Sequence, residues 1–133
     1  MTETDDCPCV DGSDHDAPQP SYCRVSTRRA AKRYSCYECR DPIEPGAQYE
    51  NVHGLWEGEW DTMRICAGCA DIRRELFCGP WSYGEMWDDL RAADVLLPRM
   101  APKACFLKNL SAAGAAKLKA QWARFTGLQN ATQ

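Results

Sequence analysis

The chain has 133 residues, an apolar share of 44%, a formal net charge of −3 and nine cysteines. That length suits one modest domain or a small domain with tails. The acidic start Met1-Thr2-Glu3-Thr4-Asp5-Asp6 lacks the charged and apolar regions of a secretion signal, and no apolar run approaches the roughly 18 to 20 residues that span a bilayer. A cytoplasmic chain with no membrane partner is therefore expected, in a reducing milieu where thiols bind metal more often than they pair.

Charge alternates by block. Residues 1–23 carry six acids and no Lys or Arg, and residues 24–34 carry Arg24, Arg28, Arg29, Lys32 and Arg33 with no acid. Residues 35–94 carry thirteen acids against five bases, and residues 95–133 six bases and no acid. Zinc held by four thiolates makes the middle block more negative still. An acidic centre disfavours a simple phosphate-backbone binder, because nucleic-acid domains usually present a net basic face.

In chain order, the head contains Cys7-Pro8-Cys9, a polar stretch rich in Asp, Gly and Pro, and then Cys23. Such a segment buries too little surface to order itself, and metal is the natural organiser. Cys7, Cys9 and Cys23 supply three thiols. Cys78 is the preferred fourth ligand, with His15 and His53 as alternatives, which leaves Cys105 as the odd thiol and predicts two Zn²⁺ per chain, one at minimum. The plainer alternative is a set of unliganded tail thiols. Next, Ser26 or Thr27 is placed to cap a short basic helix through Arg28 to Tyr34. Its bases form either a phosphate- or acid-contacting patch or a solvated connector that balances the acidic centre.

Residues 36–76 organise the rest. Two CxxC pairs, Cys36/Cys39 and Cys66/Cys69, lie 26 residues apart. Each CxxC turn spaces two thiolates by about one edge of a tetrahedron, so two turns complete the four-sulfur set of a closed zinc site at roughly 2.3 Å. Asp41-Pro42-Ile43-Glu44-Pro45-Gly46 bends the chain away from the first pair. Gln48 to Trp56 and Glu59 to Ile65 read as strands joined by a two-residue turn at Glu57-Gly58. From Cys66 onward Ala70, Ile72, Leu76 and Phe77 give helical periodicity.

Ser82 and Glu85 form a capping box for a helix with Met86, Trp87, Leu90 and Ala93 on its apolar stripe, ending near Asp94. Trp56, Trp60, Trp81 and Trp87 are expected to supply much of a small core. Beyond Pro98, Ser111 caps a last helix over Ala112 to Phe125, in which Ala115, Leu118, Trp122 and Phe125 lie opposite Lys117, Lys119 and Arg124. That amphipathic helix packs on the zinc domain, pairs with a second copy to give a homodimer, or docks on an acidic partner.

The order of knuckle, hairpin and a helix bearing the second cysteine pair resembles a treble-clef zinc finger over about 40 residues. More loosely, the cysteine-rich head followed by CxxC, Ile43-x-x-Gly46, a Tyr- and Trp-bearing hairpin and CxxC looks like small zinc proteins encoded by phages and prophages. The fold class is then small α+β. The divisions are 1–35 for the head and connector, 36–97 for the zinc domain with its following helix, and 98–133 for the basic C-terminal helix.

The treble-clef likeness is compatible with adaptors, nucleic-acid binders and nucleases. Treble-clef nucleases use a histidine near the hairpin and a second His or Asn on the helix. His53 takes the first place, but Asp71, Arg73, Arg74 and Glu75 leave the second unfilled, and four cysteines leave zinc no open position. The expectation is a non-enzymatic module that binds a protein partner through Trp56, Glu57, Glu59 and Trp60, and the phage likeness implies a host nucleic-acid machine or defence complex. The competing reading is a nucleic-acid-binding regulator using Arg28, Arg29, Lys32, Arg33, Lys117, Lys119 and Arg124.

Overall fold

The structure is a computed structural model and describes residues 9–11, 19–78, 82–92 and 104–125. Three strands form its main sheet in the order β2-β5-β6, with β2 at Tyr22–Arg29, β5 at Gln48–Trp56 and β6 at Glu59–Cys66. β5 and β6 make the expected hairpin. Glu57 and Gly58 take φ of 49° and 82°, the doubly left-handed turn whose twist matches that of paired strands.

β2 replaces the short basic helix expected near Arg28. All eight of its residues pair antiparallel with β5, from Tyr22 opposite Leu55 to Arg29 opposite Gln48. A lone hairpin is marginal in water, so β5's open edge favours a third strand. Tyr22, Val25 and Thr27 suit that role better than a helix interior.

Directly paired residues share a face, so these registers sort the side chains. One face carries Tyr22, Arg24, Ser26 and Arg28 of β2, Tyr49, Asn51, His53 and Leu55 of β5, and Trp60, Thr62 and Arg64 of β6. No carboxylate stands among them. The other face turns Val52, Met63 and Ile65 into the core, at 0%, 7% and 2% exposure, and also carries Glu50, Glu59 and Asp61.

Helix α1, Ala67–Leu76, packs against β5 and β6 and buries Ile72 and Leu76. Helix α4, Ala112–Phe125, packs on α1 and buries Leu118. Of the roles open to this helix, the structure shows packing on its own domain. The contact is close because both helices carry glycine at the crossing. A Cβ on Gly68 would come within 2.9 Å of the Ala113 carbonyl and of Lys117 Cβ, and one on Gly114 would strike the Asp71 carboxylate. Gly114 costs the isolated helix up to about 1 kcal/mol in propensity, and its absent side chain admits Asp71. As expected, Ser111 caps α4: its hydroxyl accepts from Gly114 N at 3.1 Å, while Asp71 accepts from Ser111 N at 2.6 Å.

Smaller elements complete the frame. β3 (Tyr34–Ser35) pairs with β4 (Pro42–Ile43) around the first cysteine pair, and β1 (Val10–Asp11) runs parallel to β7 (Phe77–Cys78). α2 spans Met86–Ala92 and α3 Ala104–Leu107. The expected capping box does not open α2, because Gly84 has φ 97° and the helix starts at Met86. The cap comes instead from Glu38, whose Oε1 accepts from Gly84 N at 3.0 Å and Met86 N at 3.2 Å. The tryptophans divide: Trp87 is buried, Trp56 is half-buried, Trp60 is 57% exposed, and Trp81 lies outside the described residues. No helix among the described residues is long and apolar enough to cross a membrane.

Candidate metal centre

The first cysteine pair sits on a tight knuckle after β3. Asp41 O accepts from Cys36 N at 2.9 Å and Cys36 O from Arg40 N at 2.9 Å, with Arg40 in the left-handed region at φ 69°. The second pair is set by a strand-to-helix junction. Cys66 ends β6 and serves as N-cap of α1, where its sulfur accepts from Cys69 N at 3.5 Å, and Cys69 lies in the first helical turn.

All four sulfurs lie within 4.8 Å of one another. Those of Cys39 and Cys66 are 3.9 Å apart, close to the edge of about 3.8 Å implied by a tetrahedron with 2.3 Å metal–sulfur bonds. Cys36, Cys39 and Cys69 are buried and Cys66 is half-buried. Backbone N–H groups already point at the sulfur of Cys36, from Glu38 at 3.4 Å, Cys39 at 3.5 Å and Cys66 at 3.3 Å. Donors arranged this way favour thiolate over thiol. Together the residues fit a single four-coordinate metal ion.

The electrostatics lead to the same place. Without a cation, four crowded sulfurs cannot all ionise. Hydrogen bonds from Cys39, Cys66 and Cys69 hold Cys36 far below its ordinary value. Cys39 is pulled down to about 6, the raising effect of Cys36 being outweighed by Cys66 and Cys69. Cys66 is pushed up by Cys36 and Cys39, and Cys69 by Cys36, Cys39 and Cys66. A dication resolves the conflict by neutralising the charge that keeps those last protons in place.

One cation of the chain's own already attends the cluster. Lys117 of α4 donates to Cys39 Sγ at 3.2 Å and to Asp41 at 2.8 Å. Burial opposes its charge, but Asp41 and the sulfurs of Cys66 and Cys39 prevail and raise its pKa above the ordinary value. Arg124 reaches the other oxygen of Asp41 at 2.9 Å. On the far side of the knuckle the buried Glu38 pairs with the buried Arg73 of α1. Glu38 and Lys117 therefore tie the knuckle to three helices. Spacing gave no sign of Glu38, which looks like an ordinary filler of a CxxC turn.

The expected second zinc site is not assembled among the described residues. The β1–β7 register sets Asp11 opposite Cys78 and brings Cys9 beside it. Cys9 and Cys78 are joined as a disulfide, with S–S 2.17 Å and Cα–Cα 5.6 Å. Cys78 does staple the head to the body, but through sulfur rather than through metal. Cys23 stands exposed on β2 as a free thiol. His53 stacks on Trp60 and hydrogen-bonds Thr62 Oγ1 through Nδ1 at 2.8 Å. Cys7, His15 and the side chain of Cys105 lie outside the described residues.

The other candidate contacts separate. Trp56, Glu57, Glu59 and Trp60, joined by Asp61, line a cleft of about 530 Å³ at the hairpin tip. Arg28 and Arg29 point to opposite faces of β2, and Arg29 donates to Gly46 O at 2.7 Å. Lys32 lies 5.8 Å over the Tyr34 ring, and Arg33 pairs with Glu44 at 3.6 Å. Lys119 is exposed, but Lys117 and Arg124 converge on Asp41. Comparison with protein-family models, with curated proteins and with solved structures gives no match to this chain.

Proposed function

We propose that the chain is a non-enzymatic interaction module of treble-clef type, held together by one structural Zn²⁺, which offers its hairpin tip to a basic segment of a protein partner. The succession of knuckle, hairpin and helix around four thiolates supports the first half. With Cys36, Cys39, Cys66 and Cys69 as ligands, zinc keeps no position for water or substrate.

The observation that carries the second half is the tip cleft, where two tryptophans flank Glu57, Glu59 and Asp61. Lysine or arginine entering there meets aromatic faces and carboxylates together, the combination that holds a cation best outside the protein core. The likeness to phage proteins adds a setting, since a host nucleic-acid machine or defence complex has basic surfaces that such a tip could occupy. Nucleic-acid binding through the basic segments has less support, because Lys117 and Arg124 are engaged with Asp41.

The test is titration of the metal-loaded chain with a fluorescent oligo-arginine peptide. Saturable binding that weakens with salt and is lost in Trp56→Ala and in Glu57→Gln/Glu59→Gln is the expected result. Binding left intact by both variants would remove the tip from the account.

A further inference from the structure

The carboxylate-free face of the sheet is used neither by the metal centre nor by the tip cleft's acids. Its lower half is covered, because Tyr34 lies against Tyr49 with ring centroids 5.6 Å apart and the Arg64 guanidinium sits 4.1 Å over the Tyr34 ring. Its upper half is open. There Trp60 is 57% and Tyr22 48% exposed, and their rings meet edge to face at 5.7 Å. His53 stacks on Trp60 at 5.0 Å with the planes 11° apart. Arg24 stands opposite His53 in the register; Arg28, four residues further along the same face, is opposite Tyr49 at the margin of the covered half and donates through Nε to Ser26 Oγ at 3.2 Å. Both arginines are exposed, and neither makes an ion pair among the described residues.

We infer that this face binds single-stranded nucleic acid, with Trp60 and Tyr22 stacking bases and Arg24 and Arg28 receiving backbone phosphates. Exposed aromatics beside unpaired arginines match a ligand that alternates flat rings with negative charge, as a single strand does. A duplex keeps its base faces inside and would use only the arginines. An acidic peptide would leave the rings unused, and an apolar one the arginines. Glu50, Glu59 and Asp61 project from the opposite face, and the carboxylates that share the tip cleft with Trp60 lie at the end of the face away from Arg24 and Arg28, so the strand's phosphates are met by the arginines. Arg24 and Arg28 lie about 13 Å apart along the strand, far enough to contact separate phosphates. His53, tied to Thr62, fixes the plane of Trp60 before any ligand arrives, so little ordering is left to the binding step.

The test is fluorescence anisotropy of short labelled oligothymidine, oligouridine and a duplex of equal length, with the full metal-loaded chain at low salt. Both single strands should bind saturably and more tightly than the duplex, and a preference between them identifies DNA or RNA as the source. Tyr22→Ala and Trp60→Ala should each weaken binding about tenfold. Arg24→Gln should reduce the slope of log affinity against log salt by about 0.7. Glu59→Gln should leave oligonucleotide binding intact or strengthen it while weakening the oligo-arginine peptide, which separates this surface from the tip cleft. These side chains are exposed, and unchanged metal content and circular dichroism verify the variants' folding. No binding, equal binding of the duplex, or wild-type affinity in Tyr22→Ala and Arg24→Gln would overturn the inference, as would capture of an acidic peptide in place of the oligonucleotides.

Discussion

At one end of β6, Cys66 enters a cluster where sulfurs, Lys117, Asp41 and Arg124 answer one another's charge. About 20 Å away along the same strand, Trp60 stands in water beside Glu59 and Asp61. The first end is rich in ion pairs that hold the fold, and the second has carboxylates that make no ion pair among the described residues. A small core cannot supply much stability by itself, and the structural chemistry is concentrated at the cysteines rather than at the tip. Substitutions at the two ends should therefore separate stability from binding.

Metal removal should have the largest effect. Structural zinc contributes apparent folding free energy on the order of 10 kcal/mol, so chelation should abolish the far-UV circular dichroism of α1 and the cooperative thermal transition. An unchanged melt after chelation would mean that the cluster is incidental.

Next comes Glu38→Ala, which removes the carboxylate that pairs with the buried Arg73 guanidinium and uncaps α2. Breaking a buried ion pair costs about 3–5 kcal/mol, to be read from denaturant midpoints. Gly114→Ala should cost about 1–3 kcal/mol through overpacking against Asp71, although alanine is the better helix former. A stabilised Gly114→Ala would show that α4 does not sit this closely on α1. Trp60→Ala, at the other end, should stay within about 0.5 kcal/mol of wild type while weakening oligonucleotide binding about tenfold.

The metal end also carries a pH signature. Metal loading starts from the unfolded metal-free chain, whose four thiols are almost all protonated at pH 7 because free cysteine titrates at about 8.5. Loading at pH 7 should then release close to four protons per ion. Affinity should fall as pH drops, since protons compete for the same sulfurs. Calorimetry in buffers of different ionisation enthalpy counts those protons.

The two ends also differ in how far the sequence revealed them. The hairpin, its Glu57-Gly58 turn, the helix after Cys66 and the four-cysteine set were legible because each rests on local spacing or periodicity. β2 was not. Strand and short helix compete over Ser26 to Arg29, and the free edge of β5 decides between them. Glu38 was missed for a similar reason: its partners Arg73, Gly84 and Met86 are distant in sequence, and Ser82-x-x-Glu85 offered a local cap that the positive φ of Gly84 displaces. The partner of Cys78 was not legible, because counting cysteines fixes neither pairing nor register. Cys9 meets Cys78 only through the parallel β1–β7 contact.

Native mass spectrometry of the purified chain, with metal identified by elemental analysis, tests the account most directly. One zinc per chain is the predicted result, together with a mass lowered by the two thiol hydrogens of Cys9 and Cys78. Two zincs with Cys9 and Cys78 reduced, or no bound metal in a folded chain, would contradict it.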